Sequence, residues 1–177
     1  MIEEYLIGHC SPTLASLKTA NLMNIPFDTI ENLENSVFQT NEKLKSKGVE
    51  LLILKKCSNT ALVYAYRKDK LQNDLNKNKV DEFLKFYGYE SNDADYCISK
   101  LKSRLKNSAS FPHEIGIFLG YPLCDVIGFI ENAGQNSICS GCWKPIISAD
   151  CAVCGKSYRG CRPEEEAALS TSPPSTA

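Results

Sequence analysis

The sequence predicts a mixed α/β (α+β) fold, in which a small sheet with a β-hairpin is covered by several helices. Three observations support this prediction. The chain has 177 residues, which suits a single domain. Its hydrophobic fraction of 43% and its charged fraction of 23% are typical of soluble globular proteins. Most apolar residues recur at helical spacing, whereas two adjacent runs are rich in β-branched and aromatic residues.

The first predicted helix begins at Ser11 or Pro12, because the apolar residues that follow recur at roughly helical intervals: Leu14, Leu17, Leu22 and Ile25. This boundary places His9 and Cys10 at a loop-to-helix junction. A second helix is predicted over about 29–47, where one face is apolar and Gly48 supplies the stop.

A β-hairpin follows the second helix. Residues 49–55 and 60–67 form the two apolar runs, and Cys57-Ser58-Asn59 between them is typical of a turn. The basic pair Lys55-Lys56 at the end of the first run is interpreted as solvated. Three short amphipathic helices are predicted next, over about 69–76, 79–87 and 93–105.

The segment 111–134 is apolar on nearly all sides, which is typical of helices in the centre of a fold. Pro112 suits the first turn of a helix, and Pro122 opens a second helix after a break at Gly120. We therefore predict a globular domain over 1–138, with a central helical pair at 113–131. A Cys-rich segment over 139–161 and a disordered tail over 162–177 follow it.

Charge and hydropathy argue against two classes of partner. The chain has 20 Lys and Arg against 21 Asp and Glu, so it offers no excess positive charge to nucleic acid or anionic lipid. Its longest apolar stretch, Ile115 to Ile130, contains Pro122 and Asp125 and is too short for a membrane span. The start MIEEYLIG lacks the basic residues of a secretory signal. We expect a cytoplasmic protein that binds neither nucleic acid nor membrane.

Both histidines of the chain have neighbours with reactive or acidic side chains. Cys10 follows His9, and Glu114 follows His113. A cysteine at a helix start lies near the positive end of the helix dipole, and an imidazolium beside it lowers the thiol pKa further. The favoured hypothesis is therefore a thiol-dependent catalytic or redox site in which Cys10 is the nucleophile or a ligand. His113 is its better partner, and Glu114 orients the imidazole. The alternative is that all four residues are structural.

The C-terminal region carries a second candidate site. Two CxxC pairs, Cys139 with Cys142 and Cys151 with Cys154, have the spacing of tetrahedral metal ligands for zinc or iron. Cys161 is a spare thiol or an alternative fourth ligand. This possible zinc knuckle supports a rival function, a non-catalytic metal-binding interaction module. The remaining interpretation is that these cysteines bind no metal.

The chain also resembles a family of uncharacterised proteins, a domain of unknown function, from anaerobic and largely clostridial bacteria. The resemblance rests on HCSPTLASLKTANL at 9–22, on LLILKKC and ALVYAYRKDKL in the hairpin, and on FPHEIGIFLGYPLCDVIGFIENAG at 111–134 followed by GCWK at 141–144. It covers most of residues 1–144 and ends there.

This resemblance implies a single-domain cytoplasmic protein and names no substrate. It marks the matching motif positions His9, Cys10, Pro12, Lys18, His113, Glu114 and Gly120.

Overall fold

The computed structural model describes residues 2–107 and 111–131. Its elements are, in chain order, α1 (Ile2–Leu14), β1 (Ala20–Pro26), α2 (Ile30–Leu44), a 3₁₀ turn (Lys45–Lys47), β2 (Glu50–Lys56), β3 (Thr60–Tyr66), α3 (Lys68–Leu75), α4 (Val80–Phe86), α5 (Ala94–Asn107), α6 (Ile115–Phe118) and α7 (Leu123–Glu131). The predicted mixed α+β fold is thus confirmed.

The three strands form an antiparallel sheet in the order β1-β3-β2, so β1 and β2 are its edges. Ala20 pairs with Tyr66 on one side of β3, and Glu50 pairs with the same residue on the other side. The pairing of β2 shifts by one residue between Ile53 and Lys55, which is a β-bulge.

Each face of the sheet has its own core. On β3 the side chains of Ala61, Val63 and Ala65 pack with α1 and α2, on what we call the two-helix face. The residues of β3 between and after these, Leu62, Tyr64 and Tyr66, pack with α3 to α7, on what we call the five-helix face. Side chains on a strand point alternately to opposite faces, so a sheet covered on both sides reads as a continuous apolar run. The sequence LVYAY within β3 has this pattern.

The start of the chain differs from the sequence prediction. The first helix begins at Ile2, nine residues before the predicted start, and Pro12 lies inside it. The leucine spacing predicted that this helix continued to Ile25, which is wrong because residues 20–26 form β1. Arg67 fixes the end of α1, since its guanidinium donates hydrogen bonds to the carbonyls of Thr13 and Leu14 at 2.8 Å.

The central part of the chain agrees with prediction. The second helix ends at a 3₁₀ turn closed by Gly48, whose φ of 65° is in the left-handed region. The hairpin and the three helices after it lie within two residues of their predicted bounds.

Of the two apolar helices near the end of the described region, the first is shorter than predicted, and the second, Leu123–Glu131, lies within one residue of its predicted bounds. His113 and Glu114 precede α6, which starts at Ile115 and has only four residues. Both α6 and α7 pack into the five-helix core. No helix among the described residues has the length and apolar character needed to cross a bilayer. The proposed boundary at 138 and the proposed tail lie outside the described residues.

Candidate functional site

Cys10 lies in the third turn of α1 rather than at a helix start. Its side chain is fully buried in the two-helix core, and its Sγ is 3.8 Å from Met23 Sδ. Burial raises the pKa of this thiol to about 11 from an ordinary value of 9.0, and the charge of Lys18 opposes the rise only in part. A nucleophilic cysteine requires the opposite shift, because the thiolate is the reactive form.

Both histidines lie at the protein surface. His9 is exposed on α1, where its ring stacks on that of Tyr5 with centroids 6.2 Å apart. His113 is exposed as well, and its ring lies 5.6 Å from that of Phe129 on α7. The two histidines therefore pack beside aromatic rings of different helices.

Glu114, in contrast, is completely buried in the five-helix side of the molecule. Its Oε1 accepts hydrogen bonds from Arg104 Nε at 2.5 Å and from the Tyr89 hydroxyl at 3.4 Å. Its Oε2 has no hydrogen-bond partner within the described residues. Glu114 thus forms a buried ion pair with a helix side chain, and it does not orient an imidazole as the sequence analysis expects.

The predicted cysteine–histidine site is therefore not assembled. Cys10 belongs to the two-helix core, whereas Glu114 is bonded to the helices of the opposite face. The sheet separates the two groups. A helix-start thiolate and a neighbouring imidazole were the physical basis of the thiol-dependent hypothesis, and the described geometry provides neither.

The predicted metal ligands Cys139, Cys142, Cys151 and Cys154 lie outside the described residues, so the zinc or iron site stays a prediction. Within residues 2–107 and 111–131, no three His, Cys, Asp or Glu side chains are grouped as metal ligands.

Two of the motifs that carry the family resemblance meet in space. Lys18 Nζ donates a hydrogen bond to the Tyr121 hydroxyl at 2.9 Å. At the neighbouring residues of the two motifs, Thr19 and Gly120, a Cβ on the glycine would lie 2.6 Å from Thr19 Oγ1. Thr19 also donates to Asp74, which pairs with Lys77. The contact explains why Lys18 and Gly120 are motif positions, because the glycine at φ 82° allows the two segments to approach.

An open groove runs along the other side of the molecule, where the two faces meet at edge strand β2. Its volume is about 640 Å³. Residues 51–56 of β2 form its floor, α2 forms one wall and α5 the other. This volume falls within the size range of typical ligand sites.

The backbone on the groove floor is hydrogen-bonded at one position by a side chain of α2. The Asn41 side chain accepts a hydrogen bond from Leu51 N–H at 2.7 Å and donates one to the Leu51 carbonyl at 3.0 Å. The Leu51 backbone therefore points away from β3. In an antiparallel pair every second residue has this orientation, so the backbone of Ile53 points into the groove as well.

The α2 wall presents an aromatic ring to solvent. Phe38 is 66% exposed although it lies next to buried Val37 in the helix. Exposed aromatic side chains are enriched where proteins bind partners, because they contribute a large apolar area at a small entropic cost.

The rim of the groove is basic. Lys55, Lys102 and Lys106 form no ion pair among the described residues, and Lys56 pairs with Glu34 at 2.5 Å. Glu34 is the only acidic residue in the lining. Lysines 102 and 106 are one turn apart on α5, so they point in the same direction.

The sequence does not predict this groove. Lys55-Lys56 is interpreted from the sequence as solvated, and the one signal of a basic surface is the helical spacing of Lys102 and Lys106, of which Lys106 lies just past the predicted helix over 93–105. The other components come from α2 and β2, and their proximity depends on the strand order.

Comparison with known families gives a match over most of the chain. A family model described as a protein of unknown function (DUF3793) matches residues 6–163. The match continues past residue 144, where the sequence resemblance was expected to end, and it includes all five C-terminal cysteines. Searches of the curated proteins and of the solved structures return no significant match.

Proposed function

The chain belongs to the DUF3793 family of proteins of unknown function, and we propose that it is a non-catalytic binding module that holds an extended segment of a partner protein at the β2 edge. The observation that carries this proposal is the outward-facing backbone of Leu51, from which strand alternation orients Ile53 in the same way on the floor of a groove between two helices. An extended peptide can add to such an edge as a fourth strand.

An alternative explanation of the edge is protection against aggregation. Lysines, a bulge and a covering side chain all blunt sheet edges in natural proteins, and β2 has each of them. Two features favour binding over protection. The edge borders an open groove of about 640 Å³ between two helices, and Phe38 places a large apolar ring in water beside it.

The test is selection of a phage-displayed random peptide library on the full chain, followed by affinity measurements on variants. Phe38→Ala removes the apolar anchor and should weaken binding about tenfold, a typical loss at an aromatic hot spot. Phe86→Ala is the matched control, because Phe86 is 86% exposed and does not line the groove. It should leave the affinity unchanged.

A second variant tests the backbone. Ile53→Pro removes an N–H that points away from β3, so the ladder to the central strand is kept and circular dichroism should report a folded protein. Peptide binding should be lost. Selected peptides that bind Phe38→Ala and Ile53→Pro as tightly as the unmodified protein would refute the proposal.

A second candidate function is the metal-binding module, which the extent of the family match favours, because residues 139–161 lie within it. Elemental analysis of protein purified without added metal is the test. We expect about one equivalent of zinc or iron, as for a four-cysteine site, and loss of the metal in Cys139→Ser. Less than a tenth of an equivalent would remove this candidate.

A further inference from the structure

We infer that the segment bound at the β2 edge is acidic, with its Asp or Glu residues at the end that lies beside Lys55 and Lys56. This inference rests on the proposed function and goes beyond it, because it names the chemistry of the partner. It follows from where the charges of the groove lie.

The lysines are concentrated at one end of the groove. Lys55 and Lys56 end strand β2, and Lys102 and Lys106 face them from α5. Three of the four have no carboxylate partner among the described residues. The positive potential of this end is therefore not neutralised by the lining, and an incoming carboxylate would gain attraction from several ammonium groups at once.

The other end of β2 has a different character. A second cavity of about 380 Å³ continues along the strand from Asn41, and it mixes Glu42, Glu50 and Asp69 with Lys45 and Lys68. An acidic segment is not favoured there, because carboxylates would face carboxylates. The difference between the two ends gives the bound strand a preferred direction.

A second copy of the chain is a distinct candidate occupant, and its orientation decides the charge balance. Parallel pairing of two β2 strands would bring the lysines of both copies together, and like charges in close contact oppose association. Antiparallel pairing would set the lysines of each copy near the Glu50 end of the other, so light scattering has to decide on the dimer. The basic end of the groove therefore favours a partner segment with negative charge.

Three synthetic nonapeptides test the inference. All share an alternating Val/Thr pattern and differ only in three terminal residues, which are Glu, Gln or Lys. We expect the Glu peptide to bind at least about fivefold more tightly than the Gln peptide, as one to two exposed ion pairs provide. The advantage should disappear in 0.5 M NaCl, where screening removes such interactions.

Charge reversal provides the matched comparison. Lys102→Glu with Lys106→Glu should make the Lys peptide the preferred ligand. Lys100→Glu, on the same helix but outside the groove lining, should leave the Glu peptide preferred. Unfolding midpoints of all variants confirm that the domain is intact.

The outcomes separate the two claims. Equal binding of the three peptides, lost in Phe38→Ala, would overturn the acidic partner and leave the proposed function standing. Absence of binding by all three at 1 mM, about the weakest affinity of interest, would overturn both. A dimer in light scattering that Ile53→Pro dissociates would assign the groove to a second copy and overturn the inference. Tighter Glu-peptide binding after Glu164, Glu165 and Glu166 are replaced by glutamine would assign the groove to the chain's own acidic run. This result would also overturn the inference.

Discussion

The two faces of the sheet differ in how they use polar groups. The two-helix core is aliphatic, and its buried polar residues are the hydroxyl-bearing Thr13 and Thr40. The helices of the five-helix face carry the buried carboxylates of the described region, Asp74, Glu114 and Asp125. The resemblance motifs at 9–22 and 111–134 also meet on that side, at the contact of Lys18 with Tyr121.

This difference shows that buried charge and motif residues do not mark an open site here. Glu114 is 1% exposed at its side chain and is held by Arg104, so it has no access to a substrate. The open groove lies instead at the seam of the two faces. In this fold the buried carboxylates belong to the packed five-helix side, whereas the groove lies at the edge of the sheet.

The largest expected effect is on the five-helix face. Arg104→Met removes the partner of Glu114 and leaves a carboxylate buried without a counter-charge. We expect a loss of about 3–5 kcal/mol in the free energy of unfolding, the usual cost of breaking a buried pair. Urea denaturation at pH 7 measures it.

Lys43→Met is the matched control on the two-helix side, because Lys43 pairs with exposed Glu3 at 3.0 Å. Its effect should stay below about 1 kcal/mol. If the two variants lose the same unfolding free energy, the ion pairs of the two faces do not differ in their contribution to stability.

The next largest effect compares two glycines. Gly120→Ala would place a Cβ 2.6 Å from Thr19 Oγ1 at a φ of 82°, so we expect a loss of about 2–4 kcal/mol. Gly8→Ala, in α1 with nothing within 4 Å, should stabilise the protein by about 0.5–1 kcal/mol because alanine favours helix. Thermal or urea unfolding of both variants decides the comparison, and equal effects would contradict it.

Cys10 and Cys97 are buried on opposite faces of the sheet, and we expect their thiols to make the free energy of unfolding depend on pH. Burial raises the pKa of Cys10 and of Cys97 to about 11, above the ordinary 9.0. The folded state therefore favours the neutral thiol. This contribution to stability is complete below pH 9 and is lost as the pH rises from 9 to 11, by about 1 kcal/mol for each thiol after solvent screening.

Cys10→Ala and Cys97→Ala should each flatten the decline of unfolding free energy over that pH window. Exposed Cys57 serves as the control for thiol accessibility. In the native protein at pH 8, a thiol reagent should label Cys57 and spare Cys10. Rapid native labelling of Cys10 would restore the thiol-dependent hypothesis.

The smallest effect is expected at the seam. Asn41→Ala removes two hydrogen bonds to the Leu51 backbone, which then becomes available to water. We expect a loss of about 0.5–1 kcal/mol in unfolding free energy. Peptide binding at the groove should not weaken, because the variant exposes a second backbone position. A large loss of stability would show that the seam is part of the core.

Elements that depend on local sequence could be predicted. The hairpin and α2 are defined by residue type and by Gly48, all within short stretches of chain. The first thirty residues were assigned wrongly because Pro12 is also typical of a helix start, and the leucines after it fit helical spacing. Strand β1 buries Ala20 on one face and Met23 and Ile25 on the other, whereas Asn24 is exposed, so it lacks a simple alternation that would have identified it.

The groove could not be predicted from sequence for a different reason. Phe38, Ile53 and Lys102 are far apart in the chain, and they approach only because β2 is an edge strand with a helix on each side. The failed pairing of Cys10 with His113 has the same origin. The chemical type of a residue and its position in the sequence do not reveal which side of the sheet the residue will occupy.

The central position of β3 has a consequence for the order of folding. Its pairing with β2 needs only the closure of a three-residue turn, whereas its pairing with β1 must wait until α2 has been enclosed in a much longer loop. Short closures are faster than long ones. In a folding chain we therefore expect the β2–β3 hairpin to form before β1 pairs, which leaves one edge of β3 without a partner strand. Association with other chains is most favourable during this interval.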